Sequence, residues 1–264
     1  MPTPTVIVPL ASERDAERLL PVAQTITDAL GATMKISRVV TDLESPRTEE
    51  HRTWIEPLAT EYGAEMLLVE SDTVASGLRF LLSEHPGATV CMTVDATGGR
   101  VDAWLGSIVM DVVGTGHESF FLVGPSVPST HDVRRGPVVI CVDGSDLSES
   151  MLPEAAAWAA TTTSVVWLVQ VVTGAKPDVE IPEAAYVHRL AGSIDVDDVQ
   201  WEVLHGPDPA DAIVAFADRL GASCVAMATH GRGGLSRIAV GSVATRVAHR
   251  AHCPVLVRRP PSPS

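Results

Sequence analysis

The residues from Ala228 to Ser242 form a glycine-rich stretch whose composition suits the binding of an anion. Gly231, Gly233 and Gly241 let the backbone approach a ligand closely and adopt positive φ angles. Successive N–H groups in such a loop form a concave anion site. A helix is predicted to begin at Ser242, and the first N–H groups of a helix have no intrahelical partner. The sequence therefore predicts a phosphate-binding loop, one without the lysine of a P-loop.

The local charge favours the same stretch. Between residues 228 and 259 the charged side chains are all basic: Arg232, Arg237, Arg246, Arg250, Arg258 and Arg259. The counterpart stretch, 93–124, carries mostly acidic ones: Asp95, Asp102, Asp111 and Glu118, against Arg100. Because the whole chain has a net charge of -14, the arginines are expected to create a local positive field. Arg237 and Arg246 are either phosphate ligands or solvated helix charges, and both interpretations stay open here.

A second group of candidates follows a predicted strand, at Val142-Asp143-Gly144-Ser145. Asp143 either contacts a ligand or accepts hydrogen bonds within a turn that includes Ser145. Ser145 and Ser148 are expected to cap the helix that begins there. His230 is either an ordinary loop histidine or a catalytic one, and the first interpretation is favoured.

An internal repeat relates the two stretches at a constant offset of 135 residues. Met92 aligns with Met227, and Gly106-Ser107 aligns with Gly241-Ser242. The segment 125–137 is rich in Pro, Gly and Ser and is interpreted as a linker. The predicted domains are therefore 1–124 and 138–259, with 260–264 as a disordered tail.

Alternating apolar and amphipathic segments predict the elements of the second copy. Strands are expected near 138–142, 164–172, 199–204, 223–228 and 254–258, and helices over 148–161, 183–191, 207–220 and 242–251. The fold class is then α/β, with two tandem doubly wound domains, each a five-stranded parallel sheet of order 3-2-1-4-5 with helices on both faces. Ligands bind such sheets where the strand order reverses, which brings the segment after Val142 beside the loop after Ala228.

Composition narrows the class of protein. Hydrophobic residues make up 45% and aromatic residues 4% of the chain, as is typical of Val-, Ala- and Leu-filled parallel sheets. The acidic charge argues against binding to nucleic acid or to anionic membranes. No apolar stretch is long enough to span a bilayer, and the N-terminus lacks the pattern of a signal peptide, so a cytoplasmic protein is expected. The cysteines form no C-x-x-C pair and are expected to be reduced and buried: Cys91, Cys141, Cys224 and Cys253.

The glycine-rich stretch resembles the universal stress protein family, whose ATP-binding members carry G-x2-G-x9-G-(S/T) after the fourth strand. Here the stretch has Ala228, two residues, Gly231, nine residues, and Gly241-Ser242. The resemblance covers nearly all of 136–259 and, in weaker form, 5–124. Ala228 departs from the pattern, which has glycine there, but alanine is small enough for a close backbone approach if φ stays negative.

This resemblance implies ATP as the ligand. Asp143 is a candidate to help hold Mg²⁺ on the phosphates, although the sequence offers no second sure ligand for the ion. Asp143 and the backbone of Val171 are expected near the adenosine, and the glycine-rich loop around the phosphates. The candidate ATP-binding residues are Val142, Asp143, Gly144, Val171, Ala228, His230, Gly231, Arg232, Gly233, Gly241, Ser242 and Val243.

The first copy departs further from the family pattern. It has Thr93 and Ala96 before Gly106-Ser107, Asp95 in place of His230, and Leu10 about where Asp143 is expected. We therefore expect the first domain to bind ATP weakly or not at all.

The resemblance implies a nucleotide-binding regulator of the stress response, at most a slow ATPase. Two alternatives stay open: an adenine-nucleotide-dependent enzyme, such as an adenylating one, and an interaction protein that has lost nucleotide binding. The last strand of each copy is apolar and lies at a sheet edge, and exposed edges invite pairing. In the family such edges pair two domains about a two-fold axis, so the tandem copies are expected to pair within one chain. A homodimer of chains is also open.

Overall fold

The computed structural model describes residues 3–41, 47–94, 112, 118–174, 182–229 and 241–258. Its strands are β1 (Thr5–Pro9), β2 (Thr33–Val40), β3 (Glu65–Glu70), β4 (Thr89–Thr93), β5 (Ser119–Val123), β6 (Val138–Val142), β7 (Val166–Val172), β8 (Val199–His205), β9 (Cys224–Ala228) and β10 (Val255–Arg258). Its helices are α1 (Glu13–Leu30), α2 (Arg47–Glu61), α3 (Val74–Glu84), α4 (Asp146–Glu149), α5 (Leu152–Thr162), α6 (Pro182–Ala191), α7 (Pro209–Leu220) and α8 (Ser242–Arg250).

The strands form one sheet in the order β3-β2-β1-β4-β5-β10-β9-β6-β7-β8. The pairs within β1–β5, which we call the first half, and within β6–β10, the second half, are parallel. The α/β class with a mostly parallel sheet is confirmed. The sheet is continuous, because β5 and β10 pair antiparallel, with Leu256 opposite Phe121. The two expected sheets thus share their apolar edges.

The helices cover both faces of this sheet. Buried residues of α1, α2, α5 and α6 belong to one apolar cluster, and those of α3, α7 and α8 belong to the other. Both clusters contain residues of the first and second halves, so that each face has one core that runs across the junction. Apolar burial on this scale is the main contribution that stabilises the arrangement.

The boundaries of the second half agree with the predicted ones within about two residues, as is normal for helix and strand ends. The exception is the helix predicted over 148–161, which is found as α4 followed by α5. Pro153 lies in the first turn of α5, where its missing N–H is tolerated and its fixed φ favours a fresh start. The helix predicted from residue 207 begins at Pro209, because the side chain of Asp208 caps it.

The segment predicted as a linker is packed against both halves. Val127 and Val133 within it are buried. The Val133 amide donates to Thr25 Oγ1 of α1 at 3.4 Å, and His131 Nε2 lies 2.8 Å from the carbonyl oxygen of Ser223 beside β9. This segment therefore connects the halves through contacts as well as through the chain.

The four cysteines are free and buried, as expected: Cys91, Cys141, Cys224 and Cys253. Burial raises the pKa of each thiol, and that of Cys253 reaches about 12. Thiols of this kind are unreactive at neutral pH. The predicted tail, 260–264, lies outside the described residues.

Candidate nucleotide site

The candidate site begins where β6 and β9 end side by side. The two strands are parallel neighbours, with Cys141 opposite Met227, so the next residues along, Val142 and Ala228, reach the same edge of the sheet. The chain leaving β6 continues into the helices of one face, and the chain leaving β9 continues to α8 on the other face. Parallel sheets bind ligands where two such connections diverge, so a crevice is expected at this edge.

The connection from β6 to α4 forms a tight turn held by side chains. Gly144 adopts the left-handed conformation, with φ of 81°. Asp143 Oδ1 accepts hydrogen bonds from the Ser145 amide at 3.0 Å and from Ser145 Oγ at 2.5 Å. Asp143 therefore has the turn role that the sequence left open, whether or not it also meets a ligand.

Ser145 caps α4 as predicted, whereas Ser148 lies within that helix and closes the turn before it. Ser145 Oγ accepts from the Ser148 amide at 3.2 Å. Ser148 Oγ accepts from the Asp143 amide at 3.1 Å and donates to the Ser145 carbonyl oxygen at 2.8 Å. The turn is thus closed by a reciprocal set of hydrogen bonds, which fixes the backbone of Asp143 at the mouth of the crevice.

The connection from β9 to α8 is closed at its base. The Gly241 amide donates to the Thr229 carbonyl oxygen at 2.5 Å, and Thr229 is buried. A Cβ at residue 241 would lie 3.1 Å from that same carbonyl oxygen, tighter than most such contacts. Thr229 and Gly241, the residues that flank the stretch 230–240, therefore lie together beside the strand ends.

The start of α8 differs from the starts of α1, α4 and α7. Those helices have the side-chain caps Ser12, Ser145 and Asp208, with acidic residues in their first turns. In α8 the N-cap is Gly241, which supplies no side-chain cap, and the first turn has no acidic residue. Ser242, the first helical residue, is exposed. Among the described residues, the first amides of α8 therefore have no side-chain partner at the helix start, next to the contact between Gly241 and Thr229.

The predicted site residues fall into two groups. Val142, Asp143, Gly144, Ala228, Gly241, Ser242 and Val243 lie at the strand ends and at the start of α8. Val171 lies next to Gln170, which pairs with Val142 across β6 and β7. The remaining predicted residues, His230, Gly231, Arg232 and Gly233, lie outside the described residues, as does Arg237.

Sequence reasoning missed Gln170. This side chain is 4% exposed, and its Oε1 has no hydrogen-bond partner among the described residues. A polar residue within the apolar strand Val166–Val172 was the available signal, since a buried amide without a partner is unfavourable.

The expected positive field is weaker than the local sequence indicates. Arg246 is paired with Asp208 and Arg250 with Asp211, both across the contact between α7 and α8. Arg258 donates to Glu154 of α5 at 2.5 Å. The Arg246 guanidinium holds the pKa of the Asp208 carboxyl below its ordinary value. The fold brings acidic residues of other elements beside these arginines, and they offset the positive charge that the stretch has in sequence.

The described part of the chain contains no group of three or more His, Cys, Asp or Glu side chains arranged to hold a metal ion. Asp143, the expected magnesium ligand, has one oxygen engaged by Ser145. None of the described helices combines the length and apolar character needed to cross a bilayer.

A separate groove of about 910 Å³ lies at the N-terminal ends of β9 and β10, away from the crevice. Its lining includes Pro21 of α1, His131 and Asp132 of the linker segment, and Gly221 and His252. None of the predicted site residues lines it.

The model of the universal stress protein family matches residues 135–259. Universal stress protein MJ0531 of Methanocaldococcus jannaschii is 49% identical over 63 residues, which cover 24% of this chain and 36% of that protein. Universal stress protein Mb2028c of Mycobacterium bovis is 31% identical over 149 residues, covering 48% of this chain and 47% of that protein. The chain thus spans less than half the length of these curated relatives.

One solved structure shows the same fold along nearly the whole chain. A universal stress protein from Archaeoglobus fulgidus superposes with a TM-score of 0.71 at 16% identity, covering 97% of this chain and 98% of that one. A universal stress protein from Archaeoglobus fulgidus in complex with dAMP covers 46% of this chain and 96% of its own, with a TM-score of 0.38 and 27% identity. The resemblance seen in the sequence is confirmed for the second half: residues 135–259 match the model of the universal stress protein family.

Proposed function

We propose that the second half binds an adenine nucleotide, with ATP as the ligand, in the crevice between β6 and β9. The observation that carries the proposal is the hydrogen bond from the Gly241 amide to the Thr229 carbonyl oxygen. It brings both ends of the glycine-rich stretch to the edge where Val142 and Ala228 end. In the proposal, the backbone amides of this stretch bind the phosphates at the reversal point of the strand order.

The open start of α8 supports a phosphate at this place. Its first amides have no side-chain cap, and its first turn has no acid, so an anion would complete that helix end. In the proposal, Gly241 and Ser242 hold the phosphates together with Gly231, Arg232 and Gly233. Asp143 and Val171 lie on the adenosine side. A magnesium ion, where present, would be held mainly by the nucleotide.

The proposal is for a regulatory binding module built of two domains, 1–124 and 138–259. The antiparallel pairing of β5 with β10 supports their association within one chain. A cytoplasmic location belongs to the same proposal, supported by four free and buried cysteines, since a reducing compartment keeps thiols in this state.

The test is isothermal titration of the purified chain with ATP, ADP and AMP, combined with native mass spectrometry. We expect one nucleotide per chain. At about 100-fold over its dissociation constant, the ligand should add about 2.7 kcal/mol to the free energy of unfolding. A folded chain that shows neither heat nor stabilisation with millimolar nucleotide would reject the proposal.

The variant Ser242→Glu separates binding from folding. A glutamate in the first turn favours the helix but repels a phosphate at the same amides, so affinity should fall by at least about tenfold, or about 1.4 kcal/mol, while stability holds. Ser107→Glu is the matched control, because Ser107 is the counterpart of Ser242 in the sequence repeat. It should leave the affinity unchanged.

A further inference from the structure

The strand registers place Arg38 and Gln170 at equivalent positions in the two halves. Strands β4 and β9 are related by 135 residues, and Val6 pairs with Thr89 as Val138 pairs with Cys224. Strands β1 and β6 are therefore related by 132 residues. The same offset relates β2 to β7, because Val6 pairs with Met34 as Val138 pairs with Val166. Arg38 then corresponds to Gln170.

The next strand confirms this equivalence independently. The Ser71 amide donates to the Val40 carbonyl oxygen, and the Gly206 amide donates to that of Val172. Both pairs mark the point where β2 and β7 end, and Val40 and Val172 again differ by 132. Arg38 and Gln170 each lie two residues before that point, on the side of the crevice that the second strand of each half forms.

Arg38 closes this side of the first half. Its Nη1 donates to the carbonyl oxygen of Leu10 at 2.9 Å and to that of Ala11 at 2.5 Å. The carboxylate of Asp15, which is buried, attracts the guanidinium. Leu10 and Ala11 form the connection from β1 to α1, so the guanidinium spans the opening between β1 and β2.

The corresponding connections differ in length. In the first half, Leu10 and Ala11 precede the helix cap Ser12. In the second half, Val142, Asp143 and Gly144 precede the cap Ser145. By register Leu10 corresponds to Val142, so that Ala11, rather than Leu10, takes the position expected for Asp143. The second half gains one residue and a left-handed glycine, and Gln170 Oε1 has no hydrogen-bond partner among the described residues.

From this we infer that position 38/170 decides which half admits a nucleotide: Arg38 is an internal occupant that closes the first crevice, and Gln170 leaves the second one accessible. The inference rests on the proposed function of the second half. It also gives a physical reason why the first half is expected to bind ATP weakly, and this reason does not depend on the glycine pattern of that half. A cation hydrogen-bonded to two carbonyl oxygens is held firmly, and an incoming base must displace it.

The test is an exchange of the two residues. Gln170→Arg should reduce hydrogen–deuterium exchange of the backbone over 142–145 and raise the dissociation constant for ATP by at least about tenfold. Gln170→Met, a side chain of similar length without charge, is the control and should keep the affinity within about threefold. Arg38→Gln should increase exchange over 9–13 while 141–146 stays unchanged. Circular dichroism checks that each variant is folded.

The outcomes separate the inference from the proposed function. If the folded wild-type chain binds no adenine nucleotide, the proposed function fails, and the exchange measurements alone judge whether Arg38 closes the first half. Unchanged exchange over 9–13 in Arg38→Gln would overturn the inference. So would a Gln170→Arg variant that binds ATP as tightly as the wild type.

Discussion

Arg258 at the end of β10 donates a hydrogen bond to Glu154 of α5 at 2.5 Å, and the other oxygen of that carboxylate accepts from Ser119 of β5. Ser119 and Arg258 are paired opposite each other across the junction of the two halves. One carboxylate thus connects both edge strands to a helix of the second half. The ion pair is partly exposed, with side chains 40% and 27% accessible, so solvent moderates its strength.

Removal of this carboxylate should weaken the junction. We expect Glu154→Ala to lower the free energy of unfolding by about 1 kcal/mol, because charged hydrogen bonds contribute more than neutral ones but this pair is screened. Urea unfolding followed by circular dichroism measures the change. Glu84→Ala, at an exposed position at the end of α3, is the control and should stay within about 0.5 kcal/mol of wild type. Equal stability of the two variants would contradict the role of Glu154.

Gly144 is expected to resist substitution because of its backbone conformation. Its φ of 81° lies in a region that a Cβ disfavours, so Gly144→Ala should cost about 1 kcal/mol of stability. Gly144→Asn should cost less, since asparagine tolerates the left-handed region. Gly192→Ala serves as the control: an added Cβ there lies 3.5 Å from the nearest atom, an ordinary contact. Thermal unfolding should give the lowest midpoint for Gly144→Ala, a higher one for Gly144→Asn and the highest for Gly192→Ala. A Gly144→Ala variant as stable as the wild type would refute the left-handed conformation of residue 144.

His131 should make stability depend on pH. Burial lowers the pKa of its imidazole below the ordinary 6.5, although its contact with Ser223 acts in the opposite direction. The unfolded chain therefore binds more protons than the folded one, so this contribution is complete above about pH 6.5 and declines as the pH falls toward the folded pKa. The neighbouring charges are Asp132 on its own segment and, across the groove, Asp218 with His252.

The variant His131→Gln keeps a donor for the Ser223 carbonyl oxygen but does not titrate. We expect the free energy of unfolding to fall less between pH 7 and pH 5 in this variant than in the wild type, as measured by urea titrations at each pH. His205→Gln, at an exposed position, should retain the wild-type slope. Parallel slopes for the wild type and His131→Gln would show that another group is responsible.

Much of the fold was predictable because its pattern is local. The strand Cys224–Ala228 and the helix Ser242–Arg250 were expected at nearly those bounds, since an apolar run and a 3.6-residue period are visible in a short window. Pro153 indicated the division between α4 and α5, but the helical period of the apolar residues continues through it, and one helix was predicted. Glycine spacing predicts the candidate loop, and that remains a prediction, because four of its residues lie outside the described part of the chain.

The rest depended on contacts between distant residues. The pairing of Arg246 with Asp208 joins residues 38 apart in sequence, and the Arg38 contacts with Leu10 and Ala11 span 28 and 27 residues. The equivalence of Arg38 and Gln170 required strand registers, because the repeat offset changes from 135 to 132 within the chain. No single window of sequence contains that information.

The antiparallel pairing of β5 and β10 sets the polarity of the whole molecule. The strands of one half run antiparallel to those of the other, so the carboxyl ends of the two sets of strands, and the two crevices, lie at opposite edges of the sheet. Ligands bound at these two edges would therefore not compete for space. Any communication between them would have to pass through the shared cores, as a change in the packing of the strands themselves.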